Sequence, residues 1–176
     1  MNKIKKRKSG INVIEMKWQI VEHILLNDDA TFASLSQNIE GFSGDLTYGI
    51  DELNIVFWPN MSLEVITCIN QLLTNKLIDR FITNRWCYLY DGKCLNLPIK
   101  RRIKEYDRPT LVPQVFRLSG KLKLNEKERK LFAHETLTRL LKKQPTQEHS
   151  KQYEKTRNRI KLLLANADKK LPPKDV

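Results

Sequence analysis

A chain of 176 residues with 32 Lys and Arg against 20 Asp and Glu carries a formal charge of +12; it can build one good hydrophobic core and is too short for two full-sized domains. Three cysteines with no CxxC pair argue against a disulfide framework and favour a reducing, cytoplasmic setting. The basic start is not followed by an apolar stretch, and the longest apolar runs fall far below the roughly 20 residues that cross a bilayer, so no membrane partner is expected.

The charge is unevenly placed. Residues 1–10 carry +5 through Lys3, Lys5, Lys6, Arg7 and Lys8, residues 11–98 carry −6, and residues 99–176 carry +13. Clustered cations gain affinity for phosphate backbones by releasing counterions, so the two ends point to nucleic acid while the acidic middle must supply the core.

Residues 1–14 read as a basic arm. Within 15–26, Trp18, Val21, Ile24 and Leu25 recur at three- and four-residue spacings, one apolar stripe of a first helix. Thr31 suits the N-cap of a short second helix carrying Phe32, Leu35 and Ile39, which Gly41 stops. Residues 41–60 combine turn-forming glycines with the apolar run 53–58 and are expected to pack as a short extended or helical piece. Ser62 then caps a third helix with Leu63, Ile66, Ile69, Leu72 and Leu73 on one side. The string LLTNKLI at 72–78 reads as a helix end, a left-handed cap at Asn75, and the start of a strand. Residues 78–83 alternate, Asn84 and Arg85 turn, 86–90 form an aromatic strand, and Asp91 with Gly92 is a hairpin dipeptide. Residues 94–97 add a third short strand.

Three helices followed by a hairpin, with LLTNKLI at the junction, resemble the winged helix-turn-helix superfamily over residues 15–98. The resemblance implies that the third helix, 63–74, enters a DNA major groove and that a wing at 83–86 touches the neighbouring backbone. On the third helix, Thr67 and Gln71 are placed to contact bases, because Gln can pair bidentately with adenine and Thr can meet the thymine methyl. That helix carries no Lys or Arg, so affinity has to come from elsewhere: the arm, Arg85, Lys93, and the run Lys100, Arg101, Arg102 and Lys104.

After Pro98, Pro109 and Pro113 forbid a continuous helix, and Leu111, Val112, Val115 and Phe116 are too apolar for a free linker. Residues 99–120 are therefore expected to run extended along the core. In 121–176 two amphipathic helices, striped by Leu131, Leu137, Leu141 and by Tyr153, Ile160, Leu164, form a C-terminal hairpin joined through KKQPT. Their combined apolar strip exceeds what two helices bury alone and calls for the core or a second copy, with a homodimer favoured. The whole is an α+β chain, mostly helical, with a winged-helix-like core and a C-terminal helical hairpin.

Chemistry beyond binding finds little support. His23, His134 and His149 are far apart, and Cys87 and Cys94, flanking the expected turn, lack partners for a tetrahedral zinc site. There is no glycine-rich phosphate loop and no nucleophile elbow, so neither a catalytic residue nor a metal or other cofactor is expected. Asp51 and Glu52 read as a solvated turn, and Trp58 as core. Trp86, near the expected wing tip, suits stacking on a base as well as packing. The favoured function is duplex-DNA binding in a regulatory role. The alternative is a winged-helix module that docks proteins without reading sequence, which the acidic middle suits better.

Overall fold

The computed structural model describes residues 12–27, 29–119, 125–141 and 146–169, without the side chains at 136, 137, 139, 140, 168 and 169. The basic arm at Lys3 to Lys8 and the side chain of Leu137 lie outside the described residues. Among those described, the chain is α+β and mostly helical.

Asn12 caps α1 (Val13–Leu26) by accepting from the Ile14 N–H at 2.9 Å. The helix buries Trp18, Ile20, Val21 and Ile24. A two-residue strand, β1 (Ala30–Thr31), leads into α2 (Phe32–Asn38), with Thr31 accepting from the Ser34 N–H as expected of an N-cap. Residues 43–61 form an antiparallel hairpin, β2 (Ser43–Ile50) and β3 (Ile55–Met61), joined by a one-turn 3-10 helix at Asp51–Leu53. The expectation here was a single short piece. The run 53–58 is instead the buried strand of a ribbon, and Gly49 is required in its partner because a Cβ there would lie 2.2 Å from the Ile55 carbonyl oxygen.

Ser62 caps α3 (Leu63–Thr74), which buries Val65, Cys68, Ile69 and Leu72. The left-handed residue after it is Lys76, at φ 51°, and not Asn75, at φ −78°. Strand β4 (Ile78–Ile82) follows as the alternation predicts.

The expected wing is overturned next. Residues 86–90 are helical, within α4 (Arg85–Tyr90), and Asn84 accepts from the Trp86 N–H as its N-cap. Gly92, at φ 79°, closes that helix: the Gly92 N–H donates to the Leu89 carbonyl and the Lys93 N–H to the Tyr88 carbonyl. A positive-φ glycine serves a hairpin turn and a helix C-terminus equally well, and the dipeptide alone does not distinguish them. Residues 94–97 form no strand.

The partner of β4 comes from beyond Pro98. Strands β5 (Thr110–Leu111) and β6 (Gln114–Leu118) make two sheets of order β1-β6-β4 and β2-β3-β5. In the first, antiparallel throughout, Ala30 faces Phe116 and Ile82 faces Gln114; in the second, β5 runs parallel to β3 with Ile55 facing Thr110. The segment after Pro98 is thus extended and core-bound, as its prolines and apolar residues require.

Helices α5 (Glu126–Leu140) and α6 (Gln147–Lys169) pack on α1. The Phe132 ring lies 5.8 Å from Trp18 and 4.9 Å from Tyr153, and Ile160 and Leu164 are also buried. Glu15 of α1 receives Arg157 at 3.0 Å and Lys161 at 2.5 Å, and the Lys161 hydrogen bond first, with both positive charges, holds its carboxyl below the usual range. Of the strip that called for a second copy, Leu131, Tyr153, Ile160 and Leu164 are buried within the chain, whereas Leu141 is 63% exposed.

Candidate nucleic-acid interface

Helix α3 presents Glu64, Thr67 and Asn70 to solvent, but only part of that face is open. The Tyr48 hydroxyl of β2 donates to Asn70 Oδ1 at 2.6 Å and accepts from Arg80 of β4 at 3.4 Å, so the hairpin reaches across from α3 to β4. Burial raises the Tyr48 phenol above its ordinary value, with the Arg80 charge opposing, so it stays a donor at neutral pH. Arg80 also stacks over Phe57 at 5.0 Å. Thr67 is exposed, whereas Gln71 is half-buried, its Oε1 enclosed and accepting no hydrogen bond among the described residues. Of the two expected base readers, one is open and the other partly withdrawn.

Helix α4 is anchored by one residue. Tyr88 is buried, its ring 5.6 Å from Trp58; its hydroxyl donates to the Gln114 carbonyl at 3.0 Å and accepts from the Gln114 N–H at 3.1 Å. Burial pushes the phenol far above the usual range, consistent with a fixed, neutral strut. With Tyr88 turned inward, Arg85, Trp86, Leu89 and Tyr90 are left in solvent, Trp86 at 74% and Tyr90 at 93% exposure. The end of β4 adds exposed Phe81 and Ile82, with the Arg117 guanidinium 5.3 Å from the Phe81 ring. Lys93, just past Gly92, has its ammonium 5.6 Å from the Trp58 ring, on the core side of the helix.

The basic run lies on a held backbone. The Lys100 N–H donates to the Leu111 carbonyl, and the Leu111 N–H to the Pro98 carbonyl. Tyr106 ties down the far end: its N–H donates to the Leu53 carbonyl, its carbonyl accepts from Asn54 at 2.7 Å, and its hydroxyl donates to the Arg102 carbonyl at 2.7 Å. Lys100, Arg101, Arg102, Lys104 and Arg108 are all exposed. The Thr83 N–H, at the foot of α4, donates to the Pro113 carbonyl. The backbone positions that hold Lys100 and Thr83, Leu111 at the end of β5 and Pro113 just before β6, are therefore two residues apart, about 7 Å of chain if extended. Arg85 and the basic run share one support, while Thr67 and Gln71 stand on another.

A second constellation joins α1 to α2. His23 Nε2 lies 2.5 Å from Ser34 Oγ, and Asp91 is near enough to act on the ring electrostatically while its carboxylate accepts from Thr31 Oγ1 at 2.5 Å. Asn27 Nδ2 donates to the His23 carbonyl at 2.9 Å and points the same amide at Nδ1, 3.4 Å away. That orientation makes Nδ1 an acceptor and Nε2 the protonated nitrogen, so Ser34 accepts from His23, the reverse of what a general base needs. Burial holds the imidazole below its ordinary value, against the pull of Asp91. The sequence reading missed this contact because the two residues are eleven positions apart and meet only where a helix end crosses a helix start.

Cys87 is on α4, 3.1 Å from Thr83 Oγ1, so it and Cys94 do not face each other across a hairpin; both thiols are free. Among the described residues no group of three or more His, Cys, Asp and Glu is placed to hold a metal ion, and no helix is long and apolar enough to cross a membrane. In comparisons with known proteins, no family model, curated protein or solved structure matches the chain. The exposed aromatic pair at Trp86 and Tyr90 was only half visible in the sequence: the run WCYLY after a capping Asn marks it, but marks a strand as readily.

Proposed function

We propose that this chain is a DNA-binding protein of winged-helix type with a regulatory role. The observation that carries the reading is the sheet order β1-β6-β4, with α3 running directly into β4. A strand between the first two helices pairs with the last strand, β6, and β6 pairs in turn with β4, the first of three strands after the third helix; this order supports the winged-helix reading. Two insertions distinguish this chain: the ribbon β2-β3 between α2 and α3, and residues 83–113 in place of a short wing. The second insertion carries Arg85, Lys100, Arg101, Arg102 and Lys104, all exposed, and supplies the phosphate contacts that α3 lacks.

Affinity for random-sequence duplex DNA should fall steeply between about 50 and about 200 mM salt, with a log-log slope of about −0.9 per phosphate neutralised. Deleting residues 1–10 should weaken binding and flatten the slope. Thr67→Ala with Gln71→Ala should remove about 1–3 kcal/mol of sequence discrimination per lost base contact while sparing non-specific affinity. Salt-independent binding, or none, would exclude the DNA reading.

One observation favours the alternative, a protein-docking module. Tyr48 occupies part of the polar face of α3, and Leu63, at its start, is 63% exposed beside Glu64, a combination suited to a protein surface and poor for a phosphate backbone. Retained discrimination in the double variant would show that α3 is not the reader and leave its exposed face to a protein partner.

A further inference from the structure

We propose that the outward face of α4 is a stacking site for unpaired bases, so that the chain binds single-stranded nucleic acid at a surface separate from α3. This rests on the nucleic-acid reading above and adds to it a ligand class and a second site.

Two aromatic rings stand in solvent on one short helix. Trp86 and Tyr90 are four residues apart on a helix, hence on one side and offset by about 6 Å along the axis. That offset is close to two base steps of about 3.4 Å each. Their support is rigid: the Asn84 cap fixes one end of the helix, Gly92 closes the other, and Tyr88 bolts the middle to Gln114 and Trp58. Nothing in the packing requires Trp86 and Tyr90 to be aromatic. Their exposures of 74% and 93% leave large flat rings uncovered by the described residues.

The charge beside them selects the occupant. Arg85 adjoins Trp86, and the Lys100 backbone is held by Leu111, two residues before the Pro113 that holds Thr83 at the foot of the helix; Arg101, Arg102 and Lys104 follow Lys100, and all are exposed. Of the acids, Asp91 follows Tyr90 and accepts from Thr31, while Glu105 and Asp107 lie beyond Lys104 in the basic segment, which still carries five cations against these two over residues 100–108. An apolar protein partner gains little from such a rim, and a six-residue helix gives little apolar depth for a lipid surface. Aromatic platforms flanked by cations are the combination that holds single strands: the rings take the π-faces of successive bases, whatever their identity, and the cations follow the phosphates.

The test measures binding of a fluorescent oligothymidylate and of a duplex of equal length by anisotropy, for the full chain and for W86A, Y90A and W86F. Oligothymidylate affinity should fall about 5- to 100-fold for each alanine variant and stay near the parent value in W86F, while duplex affinity changes by less than about threefold. Oligothymidylate should also quench tryptophan emission in the parent, because Trp86 is exposed whereas Trp18 and Trp58 are buried. Unchanged thermal unfolding of the variants shows that the loss is not one of fold. Unaltered oligothymidylate affinity in W86A and Y90A overturns the stacking site and leaves the duplex reading standing. An equal loss on duplex and single strand overturns the single-strand assignment. Absence of binding to either nucleic acid by the full chain overturns this proposal together with the function it rests on, and points to a protein partner for the aromatic face.

Discussion

Helices α3 and α4 both begin at a capped turn, yet they dispose of their apolar side chains in opposite ways. In α3 the apolar stripe is spent on the core: Val65, Cys68, Ile69 and Leu72 lie buried, and part of its polar face is tied to Tyr48. In α4 only Tyr88 goes inward, and an indole, a phenol and a leucine are left outside. Charge separates the two further, since α3 has Glu64 and no cation, whereas α4 starts with Arg85 and is followed by a basic segment on the same strand support. The helix expected from the sequence to be the reader has part of its polar face engaged by a neighbouring ribbon. Another, expected to be a strand, carries the features of a contact surface. Residues that cost exposed apolar area without contributing to the core are better pointers to binding than charge alone.

The sharpest way to break this contrast is to truncate one tryptophan on each side of it. Trp58, 2% exposed between Phe32 and Tyr88, is a core residue, and Trp58→Ala should cost about 3–5 kcal/mol in denaturant unfolding. Trp86→Ala should change stability by no more than about 0.5 kcal/mol. Equal costs would mean that α4 packs on something and is not a free surface.

Phe132→Ala addresses whether the C-terminal pair belongs to the same core. Its ring bridges Trp18 of α1 and Tyr153 of α6, and its loss should fall at the lower end of about 3–5 kcal/mol, with a change in near-ultraviolet circular dichroism from Trp18. A second unfolding transition in the unaltered protein would show instead that the pair is a separate cooperative unit.

The smallest expected effect is a pH dependence at the α1–α2 junction. The folded-state value of His23 lies below its ordinary 6.5, chiefly through burial and against the Asp91 carboxylate, so the unfolded chain binds more protons in the interval between the two. The stability that His23 contributes is complete above pH 6.5 and is lost as pH falls from there through the lowered folded value. Melting temperature followed from pH 8 downward should show this decline (over roughly the range in which histidine titrates), and His23→Gln should flatten it. A slope that survives the substitution would assign the effect to other groups.

Much of the frame was legible in residue order. The caps at Thr31 and Ser62, the stripe of α1, the alternation of β4 and the extended course forced by Pro109 and Pro113 follow from local stereochemistry and side-chain period, which act within a few residues. The basic run at Lys100 to Lys104 and the core position of Trp58 were legible for the same reason. The fate of residues 86–90 was not. Aromatic residues suit strands and short helices alike, and Gly92 closes either; in the fold β4 pairs with β6, some thirty residues later, and 86–90 coil around Tyr88, whose hydroxyl is held by the Gln114 backbone. The contact of Tyr48 with the polar face of α3, the meeting of His23 with Ser34, and the packing of Phe132 on Trp18 are likewise contacts between distant segments. The sequence by itself determined which stretches could be helix or strand and where cations accumulate. Which faces meet and which are left to solvent is a property of long-range packing, and only the tertiary structure decided it, because burial is a competition among all apolar surfaces at once.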